Sequence, residues 1–360
     1  CSCARSRRRS DMLELVSLLA IAQGMHTVFS TECTNFFDWQ SLGVFYSHQE
    51  VVQPGLITRL MACDHPADYA GADIGPTHIH PNFALPKNNH VHDHYLPYNK
   101  PWSVFHWLYN SVEPLTAEYI LFVEPDTIFR KPIDCHSDLG ARPGVVASSP
   151  RPFLQGADNG MAAQFVRPEA IGRIDKVGGF ICIHIDDLRK VVLPWMNFTV
   201  LVRKNPERYW QIDGVGSDYP TGDDYVQRGH APYISEMYGY IFAAAEVGLR
   251  HSIREDVLLT AGDPPLYEPS LLHYDQYCKF GDKHFNKLSY KSGFTAQNCR
   301  QYFPRPPDLE ELLGQDVQEM ATESICIEQV SVLNEALCEY HKRTCCKWDI
   351  ADFGCHKMKP

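Results

Sequence analysis

Short apolar runs alternate with stretches of helical spacing along this chain, and that alternation limits the fold more than any other feature. "HTVFST" (26–31) reads as a strand, "FFDWQSLGVFYSHQEV" as a helix and "GLITRLMAC" (55–63) as a second strand. "KPWSVFHWLYNS" has helical spacing and "EYILFVE" is the next strand. "KVGGFICIHIDDLRKVV" runs from strand into helix, and "ISEMYGYIFAAAEVGL" is a strongly apolar helix. This order predicts an α/β fold, a mostly parallel twisted sheet with helices on both faces. Residues 64–101 are rich in Pro, His, Asn and Asp and read as a long functional loop rather than an element. Pro-rich "FPRPPDLEELL" marks the end of the main body.

The 360 residues are 44% hydrophobic and 21% charged, enough for one large core. A formal charge of −11 argues against a general polyanion-binding surface, and no apolar run has the length of a bilayer span. Nucleic acid is therefore not an expected partner, and membrane contact is limited to an N-terminal anchor at most. "RSRRRS" before "MLELVSLLAIA", with Ala20-Ile21-Ala22 as a small-x-small site, has the layout of a secretory signal or short anchor over 1–25, although Glu14 interrupts it. Thirteen cysteines fit the lumen of the Golgi or endoplasmic reticulum. Cys326, Cys338, Cys345, Cys346 and Cys355 crowd the C-terminus and predict a small Cys-rich, disulfide-stapled extension over 314–360 behind a catalytic domain at 26–313. Asn197-Phe198-Thr199 is a glycosylation sequon in that setting.

Glu124, Pro125 and Asp126 follow the apolar run Ile120–Val123. Ligands of such sheets bind beyond the carboxyl ends of the strands. Two carboxylates there, with Pro125 stiffening the turn, suit a hard divalent cation that also holds a diphosphate. The alternative is structural: acids that cap the next helix or pair with Arg130 and Lys131.

The blocks "HTVFSTECTNFFDWQSLGVFYSHQEVVQPGLITRLMAC", "DKVGGFICIHIDDLRK", "ISEMYGYIFAAAEVGLRHSI" and "NEALCEYHKRTC" resemble the peptidyl serine α-galactosyltransferases of plants and green algae. These group with the hydroxyproline O-arabinosyltransferases in one family of GT-A glycosyltransferases. The similarity runs from about His26 to Cys345. In one respect the chain departs from the serine enzymes, which carry Asp-Ala-Asp where it has Glu-Pro-Asp. That triplet and "PWMNFTVLVRKNPE" resemble the arabinosyltransferases instead.

The resemblance implies a GT-A fold and a UDP-sugar donor. Glu124 and Asp126 would coordinate Mn²⁺ or Mg²⁺ with the donor diphosphate, His273 of "LLHYDQYCKF" would be a third ligand, and Lys279 would reach the diphosphate. Donor base and ribose are expected over the first strands, near Ser30, Thr31, Arg59, Asn99 and Lys100. Asp158 and Asn159 in "GADNG" are candidates for the sugar hydroxyls, and Gly178-Gly179 would permit close approach of a ligand or a helix. Asp187 and Glu236 are the candidate catalytic acids. Asp187 has the competing reading of a helix N-terminal acid, and Glu236 that of a first-turn residue behind a Ser235 cap.

The histidine-rich stretch His78–His94 reads as a polar lid, with a transition-metal site as the alternative. His136-Ser137-Asp138 raises an iron- and 2-oxoglutarate-dependent hydroxylase as a rival, but the βα alternation opposes its jelly roll. A non-catalytic glycoprotein-binding relative is the other rival. The expected partner is a hydroxyproline-rich, extensin-like polypeptide in polyproline II conformation. Trp39, Trp102, Trp107, Tyr238 and Tyr240 are candidates to stack its rings, with most of them expected in the core. "GADN" and "DKVGGFICIHIDDLRK" side with galactose on serine, transferred with retention of configuration. The alternative is arabinofuranose on hydroxyproline.

Overall fold

The computed structural model describes residues 24–89, 91–112, 114–157, 160–209, 229–274, 277–307 and 316–346. The expected signal segment, apart from its last two residues, lies outside that set, as do Asp158, Asn159, His90 and Cys355. The strands are β1 (Met25–Glu32), β2 (Leu56–Ala62), β3 (Thr77–His80), β4 (Tyr119–Val123), β5 (Thr127–Phe129) and β6 (Val145–Pro150). They continue with β7 (Val177–His184), β8 (Arg250–Ile253), β9 (Leu258–Thr260), β10 (Leu271–His273), β11 (Tyr277–Phe280) and β12 (Lys283–Asn286). The longer helices are α1 (Asn35–Glu50), α2 (Asn99–Asn110), α3 (Ile185–Lys204), α4 (Ser235–Glu246) and α5 (Val317–Thr344). Among the described residues no helix is long and apolar enough to cross a membrane.

The main sheet has the order β3-β2-β1-β4-β7-β6-β8. All neighbours are parallel except β7, which runs antiparallel to both β4 and β6. β4 is buried along its whole length, because helices cover both faces. Its side chains alternate accordingly. Ile120 and Phe122 join the core beneath α2, α3 and α4, with Val104, Trp107 and Trp195; Tyr119, Leu121 and Val123 join the opposite core with Phe29 and Val44.

Directly after the Glu-Pro-Asp turn, β5 leaves the main sheet and enters a second one of order β5-β10-β9. The β11–β12 hairpin, α1 and α5 close this half around Trp39, Leu272, Phe285, Phe303, Val330 and Leu333. Cys278–Cys326 and Cys299–Cys345 fasten α5 to the body, so these two bridges join the C-terminal helix to upstream segments instead of closing within the extension. Cys33–Cys63 links the chain just beyond β1 to that just beyond β2, and Cys135–Cys182 ties a loop to β7.

The stretch 64–101 is not all loop. Thr77–His80 is an edge strand parallel to β2, with Pro81 after it. Four residues, three of them polar, carry no readable period-two pattern, and a short polar strand is what a sheet edge favours.

α3 and α4 form the tightest helix pair. Gly239 makes this possible, since a Cβ there would lie 2.3 Å from Thr199 Oγ1 and 2.8 Å from its backbone nitrogen. Gly239→Val should therefore lower stability by about 2 kcal/mol, the scale of core overpacking. Urea unfolding measures it, and an unchanged midpoint would refute the close approach.

Candidate active site

The Glu-Pro-Asp turn is the corner at which the two sheets meet. β10 pairs antiparallel with β5 so that His273 lies opposite Thr127, and Tyr274 N donates to Asp126 O at 3.0 Å. This register brings His273 Nε2 to 3.3 Å from Asp126 Oδ1. Lys287, directly after β12, donates to Asp126 Oδ2. Asp126 is buried. Burial would raise its pKa, but Lys287 and then His273 overcome that and hold the carboxyl well below the usual carboxylate range.

The second half of the cleft is built around Lys100, in the first turn of α2. Its Nζ lies 2.8 Å from Glu124 Oε1 and 2.8 Å from Glu236 Oε2. Burial would lower the Lys100 pKa, but Glu124 and Glu236 together drive it up, so the ammonium stays charged. One cation cannot neutralise two carboxylates. The deficit falls on Glu236, which burial pushes up to about 7; Lys100 opposes this and Glu124 adds to it. Glu236 is also fixed through its backbone, its N–H donating to Tyr95 Oη at 3.1 Å and its carbonyl accepting from Trp195 Nε1 at 3.0 Å. Ser235 does not cap α4; its hydroxyl donates to Pro232 O.

Gly178 and Gly179 line the same cleft, with Met237 and Tyr240. Gly179 has φ +80°, and a Cβ on it would collide with Arg151 and Leu258. A Cβ on Gly178 would lie 3.0 Å from Met237 Cε. The glycine pair thus admits neighbouring side chains into the cleft wall.

Other expected site residues lie elsewhere or serve the frame. Asp187 stands at the start of α3, reached at the far end of β7, where His184 pairs with Tyr119; Glu124 is beyond the opposite end of β4. Its buried carboxylate accepts from Gly144 N at 2.5 Å and Lys190 Nζ at 2.8 Å, so it braces the start of α3 and stands apart from Glu124 and Glu236. Arg59 is also buried, contacting Asp38 at 3.7 Å and donating to Thr77 Oγ1 and to the carbonyls of Gly71 and Ala72. Those partners occupy its guanidinium. Lys279 on β11 turns to α5, 3.6 Å from Glu319 and 3.4 Å from Glu323. Lys287 takes the place expected of Lys279, because the hairpin returns the chain to Asp126 at its end, not its start.

Asn99 donates to Glu32 Oε1 at 2.9 Å and accepts from Phe83 N. Ser30 bonds Ser103 Oγ, and Thr31 is buried with no partner for its hydroxyl. Of the aromatic candidates, Trp39, Trp107, Tyr238 and Tyr240 are core; Trp102 alone is partly exposed, stacked on Phe83. In the histidine-rich stretch, His78 bonds His106 and His80 bonds Ser103.

Among the described residues no group of three His, Cys, Asp or Glu side chains is close enough to hold a metal. Asp126 and His273 do fit one, since 3.3 Å between an imidazole nitrogen and a carboxylate oxygen is near the spacing of adjacent ligands on one divalent ion. Glu124 is engaged by Lys100.

A family model described as the hydroxyproline O-arabinosyltransferase family N-terminal domain matches residues 25–215. The chain is 39% identical to a peptidyl serine alpha-galactosyltransferase of Arabidopsis thaliana over 89% of its own length and 38% of that protein's. It is 28% identical to the Chlamydomonas reinhardtii enzyme of that name, over 89% of this chain and 46% of that one. The chain thus spans less than half the length of these two relatives. A solved structure of an active-site mutant of LgtC, 12% identical, aligns over 69% of this chain and 87% of its own at a TM-score of 0.40. The fold is the α/β fold expected from the sequence, a mostly parallel sheet with the acid-x-Asp turn at the carboxyl end of a central strand. With more than half of its residues inside the family match, the chain belongs to the hydroxyproline O-arabinosyltransferase family.

Proposed function

We propose that this chain is a retaining glycosyltransferase that takes a sugar from a UDP donor and places it on a hydroxyproline-rich polypeptide. The observation that carries the reading is the convergence, beyond β4, of Asp126, His273 and Lys287 with Lys100, Glu124 and Glu236. Asp126 and His273 would hold Mn²⁺ or Mg²⁺, with donor phosphate oxygens completing the shell. The ion supplies Lewis-acid neutralisation of the charge that develops on the departing diphosphate. Lys287 and Lys100 provide two further positive charges, directed into a cleft of low dielectric where they act strongly. Glu236, immobilised through Tyr95 and Trp195, is the carboxylate we place against the reacting centre. Four disulfides among the described residues support a place in the lumen of the secretory pathway.

Galactose on serine is the preferred pair, given the 39% identity to a serine galactosyltransferase. Arabinofuranose on hydroxyproline is the second reading, favoured by the Glu-Pro-Asp triplet and the family match. A donor screen scored by UDP release, with serine and hydroxyproline peptides present, separates them. We expect turnover with UDP-galactose; turnover with UDP-arabinofuranose alone would reverse the choice.

Calorimetry with UDP should show binding that depends on Mn²⁺ and is lost in Asp126→Asn and His273→Ala. Equal UDP binding in EDTA would sink the metal role. Glu236→Gln should keep that binding and lower kcat by at least about a hundredfold, the low end for a carboxylate acting at the reacting atoms. A kcat within a few-fold of the parent would return Glu236 to a packing role.

A further inference from the structure

Three large apolar side chains close in sequence to the charged residues of the cleft are exposed. Leu96 is 38% exposed, Tyr233 56% and Leu288 47%. Leu96 follows Tyr95, whose hydroxyl accepts from Glu236 N, and Leu288 follows Lys287, which holds Asp126. Tyr233 stands beside the site through its backbone, since the Tyr95 hydroxyl that accepts from Glu236 N donates to Tyr233 O.

The backbone that carries Tyr233 is fixed from several directions. Arg203 Nη1 donates to Ala231 O at 3.1 Å and Pro232 O at 3.2 Å, and Ser235 Oγ donates to Pro232 O. Tyr95 Oη donates to Tyr233 O, and the Arg203 guanidinium lies 4.3 Å over the Tyr95 ring while its nitrogens pair with Asp93. The Tyr233 ring meets Tyr95 edge-on at 6.0 Å. Leaving more than half of a large ring in water forfeits hydrophobic stabilisation. A ring so held and so exposed has the properties of a preorganised contact, with little conformational entropy left to lose.

We propose that Tyr233, held against Tyr95, is the platform on which a prolyl or hydroxyprolyl ring of the acceptor stacks beside the residue that receives the sugar. The inference rests on the proline-rich acceptor of the reading above. A polyproline II segment repeats every three residues, roughly 9 Å per turn, and carries few N–H donors, so it presents apolar rings beside a reacting hydroxyl. An exposed, fixed aromatic ring beside a polar cleft is complementary to that pattern, as in other aromatic-lined sites for such helices. The charges of the cleft are paired with one another, so they do not call for a charged acceptor.

The test uses the full chain with Mn²⁺ and UDP-galactose or UDP-arabinofuranose, and a serine–tetrahydroxyproline repeat peptide. Parent, Tyr233→Ala and Tyr233→Phe are compared for peptide KM, for kcat, and for UDP affinity by calorimetry. Tyr233→Ala should raise the peptide KM about tenfold and leave UDP affinity within about twofold, while Tyr233→Phe stays close to the parent. An unchanged peptide KM in Tyr233→Ala overturns the proposal. A matching loss of UDP affinity overturns it too, because the ring would then serve the nucleotide. Equal loss in Tyr233→Phe does the same, assigning the effect to the hydroxyl. A parent chain that binds no UDP with metal removes the underlying reading; a parent that turns over the peptide while Tyr233→Ala is unaffected removes only the platform.

Discussion

One ammonium group between two carboxylates ties together three elements that the chain keeps far apart. Lys100 belongs to the first turn of α2, Glu124 to the end of β4 and Glu236 to the first turn of α4, with 136 residues between Lys100 and Glu236. Breaking a buried charge pair by removing one partner costs about 3–5 kcal/mol, far more than a surface pair contributes. The two helices can therefore dock on the sheet only where all three charges meet. The deep packing follows the same requirement, since Gly239 lets α4 settle against α3 and Trp195 then reaches the carbonyl of Glu236.

The elements that formed as read from sequence are those with several turns or a fully buried run. β1, β2, β4 and β7 and helices α1 to α4 carry their apolar periods openly, because each faces a core along most of its length. Glu236 was legible for a related reason: a carboxylate at the start of a helix too apolar to be exposed has to find a partner. β3 was not legible, being four mostly polar residues at an edge. Lys279 and Lys287 could not be ranked from spacing either. Which of two lysines reaches Asp126 depends on a hairpin turn, and reversing the chain once exchanges near for far. For Asp187 the two readings, site acid and helix N-terminal acid, could not be ranked from sequence, and only the antiparallel course of β7 places it at the other end of the sheet from Glu124.

Arg59 illustrates a different limit. Expected near the donor base and ribose, it lies in the middle of β2, where its guanidinium meets Asp38, which also accepts from Tyr69 at 2.6 Å and Gln297 at 2.9 Å. This knot joins β2, α1, the segment before β3 and the chain ahead of α5. A polar network of that kind has to be complete to be tolerated in a core. Completing it consumes the donors that a substrate would need. The C-terminal helix is drawn into the same half of the molecule, against Trp39 and Leu42 of α1, so the second sheet and the hairpin that delivers Lys287 are both supported from behind.

On the UDP-sugar reading proposed above, Glu124 and Asp126 would stand at the diphosphate, which every UDP-sugar shares, so exchanging Asp for Glu at the first position would add a methylene without touching the sugar. Selectivity would then arise where the cleft wall meets the transferred ring. That wall includes Gly178, Gly179, Met237 and Tyr240. Gly178 leaves no spare volume, because Met237 Cε already stands 3.0 Å from where a Cβ would be. Tyr240 is buried and bonded to His251, so it is held in place. Met237, flexible and unbranched, can adjust to a ring of different size. A six-membered galactose and a five-membered arabinofuranose differ in that dimension, so on this reading the thioether, rather than the acid-x-Asp triplet, would be where the two activities diverge.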